Sequence, residues 1–278
     1  MDKKFLQEKA LEVRKGIITA VHSAKSGHPG GSLSVADTLT YLYFYKMNID
    51  PKNPKMENRD RLVLSKGHTA PALYSVLAEK GFFDKSELVK LRKVGAMLQG
   101  HPDMKGTPGV DMSTGSLGQG VSTAVGMAIG AKLSNADYTV YTVLGDGEIQ
   151  EGQVWEAAMS AAHYKLDNLV AVVDNNNLQI DGKVSDVMSV YPIDEKFASF
   201  GWNVATCDGH DFDSIHAAFE KTKEKNGKPW VIIQTSVKGK GVSFMENQAS
   251  WHGTAPNDEQ YAQAMADLDA IAKELEGK

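Results

Sequence analysis

Gly145-Asp146-Gly147 closes one β-branched run and Asp174-Asn175-Asn176-Asn177 closes the next, with Asp146 and Asn176 standing 30 residues apart. Glycines flanking an aspartate let the backbone approach a bulky anion while the carboxylate projects forward. The start of the helix that follows offers free N–H groups to the same anion. One carboxylate and one amide are hard oxygen donors, suited to Mg²⁺ or Ca²⁺ and poorly suited to zinc or copper. The two motifs together point to a divalent cation holding a diphosphate. Either motif alone would read as an ordinary turn; their spacing favours the ligand.

Histidines supply the second signal. Five of the eight stand beside glycine: His28, His68, His101, His210 and His252. That placement belongs to loops and not to the packed face of a helix. Imidazoles in loops can donate to an oxygen gaining negative charge and can move protons near neutral pH. A zinc site of three or four histidines is disfavoured, because no short-spaced pair such as H-x-x-x-H occurs. His210 and the helical His22 and His163 are read as structural. P-loop and dinucleotide readings lose their support too: G-x-x-x-x-G-K-[ST] is absent, and Gly145, Gly147 and Gly152 miss G-x-G-x-x-G.

The elements that must carry these residues follow from periodicity. Leu6, Ala10, Val13, Ile17 and Val21 recur at three- and four-residue steps, the stripe of an amphipathic helix over 5–22. The glycine-rich Ser26–Gly31 should break it, and Ser34-Val-Ala-Asp37 reads as a capping box opening a second helix through Tyr45. Short β-branched runs at 61–65, 138–144, 168–174, 203–207 and 230–237 alternate with helical stretches near 69–80, 120–133, 153–165 and 212–224. That alternation predicts an α/β fold, a parallel sheet with helices on both faces, whose ligands bind beyond the carboxyl ends of the strands. Gly126-x-x-x-Gly130 is expected to serve close helix packing in a soluble core. No repeat or linker divides the chain, which favours one domain over 1–278.

Composition narrows the class. The 278 residues carry a net charge of −5, and no run of like charge reaches five, so a nucleic-acid or anionic-membrane surface is disfavoured. The N-terminal Met1–Lys9 is charged where a signal peptide needs apolar residues, and no apolar run approaches a membrane span. The lone Cys207 can form no internal bridge and is expected to be a small buried apolar residue in a chain of the reducing cytoplasm.

The motifs taken together resemble the N-terminal half of transketolase, a thiamine diphosphate enzyme, from about residue 5 to residue 255. The likeness rests on SGHPGGSLSVAD at 26–37, RLVLSKGH at 61–68, GHPD at 100–103, STGSLGQG at 113–120 and GDGEIQEGQVWEA at 145–157. The resemblance implies a cofactor-diphosphate domain of the family's PP type. Asp146, the Asn176 amide and the Leu178 carbonyl would ligate Mg²⁺, with Ca²⁺ or Mn²⁺ as substitutes, and Gly147 would hydrogen-bond the diphosphate. Gly115, Ser116 and Leu117 would lie against the cofactor rings, with Ile180 packing from the other side. His28, His68, His101 and His252 match histidines that reach cofactor or substrate, His68 and His252 being placed at the cofactor. Glu151 and Glu156 match carboxylates that link the two cofactor sites across a subunit interface.

The implied activity is transfer of a two-carbon ketol unit from a ketose phosphate to an aldose phosphate, as in the pentose phosphate pathway. In the family, the glutamate that activates the cofactor and the arginines that grip sugar phosphate lie in a pyrimidine-binding domain. Full-length transketolases continue for several hundred residues beyond the equivalent of His252-Gly253, whereas this chain adds one helix near 258–274. The resemblance therefore implies a split enzyme, an α2β2 heterotetramer whose partner subunit carries the pyrimidine-binding and C-terminal domains. Its competitors are another two-chain thiamine diphosphate enzyme (a pyruvate dehydrogenase-type alpha subunit or a split deoxyxylulose-phosphate synthase), a ketol transferase for a sulfo- or branched-sugar phosphate, and a non-catalytic cofactor-binding protein.

Overall fold

In the computed structural model, which describes residues 1–277, strands β1 (Arg61–Leu64), β2 (Val140–Gly145), β3 (Leu169–Asn175), β6 (Asn203–Asp208) and β7 (Trp230–Thr235) pair in parallel in the order β1-β2-β3-β7-β6. A short antiparallel hairpin, β4 (Leu178–Gln179) and β5 (Gly182–Lys183), follows β3 and leads into the single turn α7 (Val184–Val187). All five predicted β runs and their parallel arrangement are observed.

The sheet separates two apolar cores because successive side chains of a strand point to opposite faces. Leu62, Leu64, Val143, Val170, Val172 and Ile232 join one core, whose helices include α1 (Lys3–Ala24), α3 (Ala36–Tyr41), α4 (Ala70–Lys80), α9 (Phe212–Lys221) and α10 (Asp258–Glu276). Val63, Val140, Ala171, Val173, Val231 and Ile233 join the other, with α5 (Gln119–Leu133), α6 (Gly152–His163) and α8 (Ile193–Ser199). Cys207 lies in the first core, where burial pushes its thiol up to about 12. Among the described residues no helix is long and apolar enough to cross a membrane.

Two local expectations are corrected. The glycine-rich loop is helical from Pro29, the first residue of α2 (Pro29–Ser34), and no capping box forms at Ser34. Ser34 Oγ instead donates to Gly31 O at 2.9 Å and to Asp174 at 2.5 Å, while Asp37 turns to long-range partners. The helix nevertheless continues past Tyr41 as a wide turn over Leu42–Lys46, close to the expected end. Gly126 and Gly130 do not pack in a core: both are exposed, and a Cβ on either would meet nothing within 4 Å. Val121, Ala124, Val125 and Ala128 hold the buried face of α5, which puts the two glycines on the opposite side.

A buried polar brace joins the helix layer to the strand ends. Arg14 donates bidentately to Asp37 at 2.9 and 2.6 Å, and its Nε donates to the Lys240 carbonyl at 3.1 Å. The Val237 N–H donates to His210 Nε2 at 2.8 Å, so the ring proton sits on Nδ1 and is donated to Asp37, also at 2.8 Å. Both ring nitrogens of His210 are thus engaged within the fold. His22 pairs with Asp258 at 2.8 Å and stacks on Tyr261.

Removing Asp37 strands a buried guanidinium. Asp37→Leu should lower the unfolding free energy by about 3–5 kcal/mol at pH 7, read by urea denaturation; a loss under about 1 kcal/mol would refute the brace. The arginine and histidine hold the Asp37 carboxyl well below the usual carboxylate range, although burial opposes them. A depressed folded-state value gives stability that is complete above the unfolded value near pH 4 and is lost as pH falls toward the folded one. The variant should therefore lose that part of the acid-side slope.

Candidate functional site

Beyond the carboxyl ends of β1, β2, β3 and β7 lies a cleft of about 360 Å³. Its floor is the turn after β2, where Asp146 is buried and its carboxylate accepts the N–H groups of Gly147 (2.9 Å) and Asn177. Burial, and then the nearby Asp174 charge, push Asp146 up to about 6. On the neighbouring strand end, Asn176 Oδ1 accepts the Leu178 N–H at 3.0 Å, and its Nδ2 donates to Asp174 at 3.0 Å. Asp146 and Asn176, which the motif spacing singled out, line the cleft together with Leu178, which the resemblance added.

Asp174, the last buried residue of β3, organises the surrounding loops. It has no solvent exposure and accepts from Ser34 Oγ (2.5 Å), Lys66 Nζ (2.5 Å), Asn176 Nδ2 (3.0 Å), Gln234 Nε2 (3.2 Å) and Ser236 Oγ. Burial raises the affinity of this carboxyl for a proton, but Lys66 and the hydroxyl donors outweigh it, so Asp174 stays below the usual carboxylate range.

Two buried lysines to which the sequence motifs assigned no role belong to the cleft. Lys66 pairs with Asp174. Lys238 Nζ donates to the Leu178 carbonyl at 3.0 Å and to His252 Nδ1 at 2.9 Å. An ammonium can only donate, so His252 Nδ1 accepts and its ring proton sits on Nε2. Burial brings Lys238 down to about 8. The available signal was a lysine directly after each β run, Lys66 after LVLS and Lys238 after TSV, at the strand ends where ligands bind.

The histidines form a cluster. His68 and His252 stack at 5.1 Å between ring centroids, and His28 meets both edge-on at 5.2 and 5.4 Å. Burial holds all three imidazoles below their ordinary value, His28 to about 4 and His252 to about 3. His28 Nδ1 is buried without a hydrogen-bond partner. His68 and His252 line the cleft. His101 is exposed and lines an adjoining depression with Gly115 and Ser116. Gly115 adopts φ 152°, and a Cβ there would lie 3.1 Å from the His101 ring, so glycine is required.

Leu117 and Ile180 both line the cleft, and Ile180 is 69% exposed at the hairpin tip. Gly147 also lines it, its N–H engaged by Asp146. Glu151 is an exposed cleft residue at the start of α6; Glu156 is exposed on α6 and does not reach the cleft. The buried Glu148, likewise unforeseen, accepts from Ser65 Oγ (2.6 Å), Gly118 N (3.0 Å) and Gly145 N (3.1 Å), which ties the loop before α5 to the turn after β2.

The donor chemistry fits a hard divalent cation. A carboxylate, an amide and a backbone carbonyl face one cleft, and a cationic Nζ already rests on the carbonyl. Lys66, paired with Asp174, and Lys238 bring two ammonium groups to the same cleft.

The family profile described as "Transketolase, thiamine diphosphate binding domain" matches residues 7–271. The 6-deoxy-6-sulfo-D-fructose transketolase subunit SqwG of Clostridium sp. (strain MSTE9) is 46% identical, with 95% of this chain and 96% of that protein aligned. A subunit of the apulose-4-phosphate transketolase of Phocaeicola vulgatus is 42% identical, with 99% and 98% aligned. Human transketolase is 43% identical over 89% of this chain, but the alignment spans 39% of its own length. The crystal structure of Campylobacter jejuni transketolase superposes with a TM-score of 0.91 at 36% identity, covering 97% of this chain and 43% of that one.

Losing the cation from the buried pair at the head of β3 should cost more than losing both charges. Lys66→Met should destabilise the chain by about 3–5 kcal/mol, and Lys66→Met with Asp174→Asn should recover part of that loss. Urea unfolding of the two variants decides it; a double variant no more stable than the single one would show that Lys66 does not compensate Asp174.

Proposed function

For a chain that belongs to the transketolase family, carrying its thiamine diphosphate-binding domain, we propose the role of diphosphate-holding subunit in a two-chain transketolase, transferring a two-carbon ketol unit from a ketose phosphate to an aldose phosphate. The carrying observation is a contrast in coverage. Relatives named as transketolase subunits align over 95–98% of their length, whereas whole transketolases align over 39–40%. The partner would be a separate polypeptide with the pyrimidine-binding and C-terminal domains, assembled as an α2β2 heterotetramer. The whole chain, 1–278, would then act as one cofactor-diphosphate domain, in the cytoplasm and within the pentose phosphate pathway.

Asp146, the Asn176 amide and the Leu178 carbonyl would hold Mg²⁺, with Ca²⁺ or Mn²⁺ as substitutes, and Lys238 would release the carbonyl to the metal. Gly147 would turn its N–H from Asp146 to the diphosphate. Gly115, Ser116, Leu117 and Ile180 would form the apolar and backbone shelf for the cofactor rings. When bound, thiamine diphosphate supplies the electron sink that carbon–carbon cleavage beside a ketone requires. The chain's histidines would handle protons and oxygens around it. His252 presents Nε2–H as a donor because Lys238 fixes its tautomer. His28, His68 and His101, neutral near pH 7, can accept a hydroxyl proton or donate to a carbonyl oxygen under attack. Glu151 and Glu156 would face a second copy and connect the two sites.

A second reading keeps ketol transfer and changes the sugar. It is favoured by two near-full-length relatives, one named for a sulfo-fructose and the other for apulose 4-phosphate.

The purified chain should transfer no two-carbon unit from xylulose 5-phosphate to ribose 5-phosphate with Mg²⁺ and thiamine diphosphate until its partner is added. Full activity of the lone chain would refute the split. Asp146→Ala should abolish cofactor retention by the assembled enzyme in calorimetry, and unchanged retention would remove the metal assignment. Offering 6-deoxy-6-sulfo-D-fructose and apulose 4-phosphate beside xylulose 5-phosphate ranks the two substrate readings by kcat/KM.

A further inference from the structure

Arg92 belongs to no motif that pointed to the cleft, yet it is built into the ground between His28 and His101. Its backbone holds φ 60°, a left-handed conformation that non-glycine residues adopt at a cost and that concentrates at functional positions. The Arg92 N–H is fixed to Leu98 O at 2.8 Å. From that anchor, Nη1 donates to Ser26 Oγ at 2.7 Å, two residues before His28, and Nη2 approaches Gly100 O at 3.4 Å, one residue before His101. The guanidinium lies close against Gly100, where an added Cβ would come within 3.1 Å of Nε, and Nε itself is buried with no partner. Among the described residues no carboxylate forms an ion pair with this cation.

We propose that Arg92 is a positioning residue: one guanidinium wedged between the Ser26–His28 and Gly100–His101 loops sets the separation of the two imidazoles and holds a positive charge beside both rings. Charge and bridging act together. His28 faces Arg92, His101 and Lys238, with the His68 and His252 rings against its own; His101 faces Arg92. Burial is the larger cause of the lowered affinity of each ring for a proton, and Arg92 is the first electrostatic one. Two neutral imidazoles at a fixed spacing suit neighbouring hydroxyls of a polyol chain, because each ring can both donate and accept. A lysine would keep the charge but, as a point donor, would lose the two-armed bridge.

Histidine titration and kinetics separate the two effects. In the full chain labelled with ¹³C-histidine, the Cε1–H signals of His28 and His101, assigned with His28→Gln and His101→Gln, are titrated in Arg92→Met and Arg92→Lys. Both midpoints should rise by about half a unit or more in Arg92→Met and stay put in Arg92→Lys. Arg92→Gln, which can still bridge the loops without a charge, should show the same rise and serves if the methionine variant does not fold. In the enzyme assembled with its partner, Arg92→Lys should raise KM for the ketose donor about tenfold while kcat changes less than about twofold. Unmoved midpoints in both uncharged variants, or an unmoved KM in Arg92→Lys, would overturn the proposal. The kinetic arm rests on the proposed transketolase role and the titration arm does not. Shifted midpoints in a chain that transfers no ketol unit with any partner would leave the electrostatic role of Arg92 standing and remove the transketolase role.

Discussion

A carboxylate sealed from water at the tip of a central strand is costly unless every lone pair is taken, and Asp174 meets that condition with donors from four different segments. Ser34 comes from the first short helix, Lys66 from the turn after β1, Asn176 from the turn after β3, and Gln234 with Ser236 from the end of β7. None of these loops can shift without exposing a buried charge to apolar surroundings. The cleft is therefore shaped before any ligand arrives, which lowers the ordering that binding must impose. Its other features hang from this point: Lys66 and Asn176 place the histidine turn and the amide beside Asp146, and the strand carrying Asp174 is hydrogen-bonded to β2 and β7.

Electrostatics in the cleft follow from the same sealing. Burial makes charge expensive for lysine and imidazole alike, so Lys238 binds its proton less tightly and the histidines stay neutral. Lys238 then holds a carbonyl and a ring nitrogen that would otherwise face one another as acceptors. A site with neutral imidazoles and a weakened ammonium offers ring nitrogens as hydrogen-bond donors and acceptors rather than as charges.

Local patterns in the chain carried the five strands, their parallel pairing, the long first and last helices, and the meeting of Asp146 with Asn176. These are statements about periodicity and about strand ends, which a one-dimensional reading contains. What escaped was held by partners distant in sequence. Lys66 and Asp174 are 108 residues apart, and Asp37 and His210 are 173 apart. Ser34 and Asp37 had the residue types of a cap, but a buried carboxylate and a buried arginine offered stronger partners than a free helix N–H. Gly126 and Gly130 misled for a related reason: small residues permit close packing without requiring it, and here the buried stripe of α5 lies on its other side.

The alternation of side chains along each strand also bears on how such a chain can change over time. Residues such as Val172 and Val173 are adjacent in sequence yet belong to separate apolar interiors. Substitutions on the two sides should combine additively, so either interior can drift while the other is held constant. The strand tips belong to both sides at once. Variation in this architecture is thus free in the middle of the sheet and coupled at its edge, where a change in one loop has to be answered in three others.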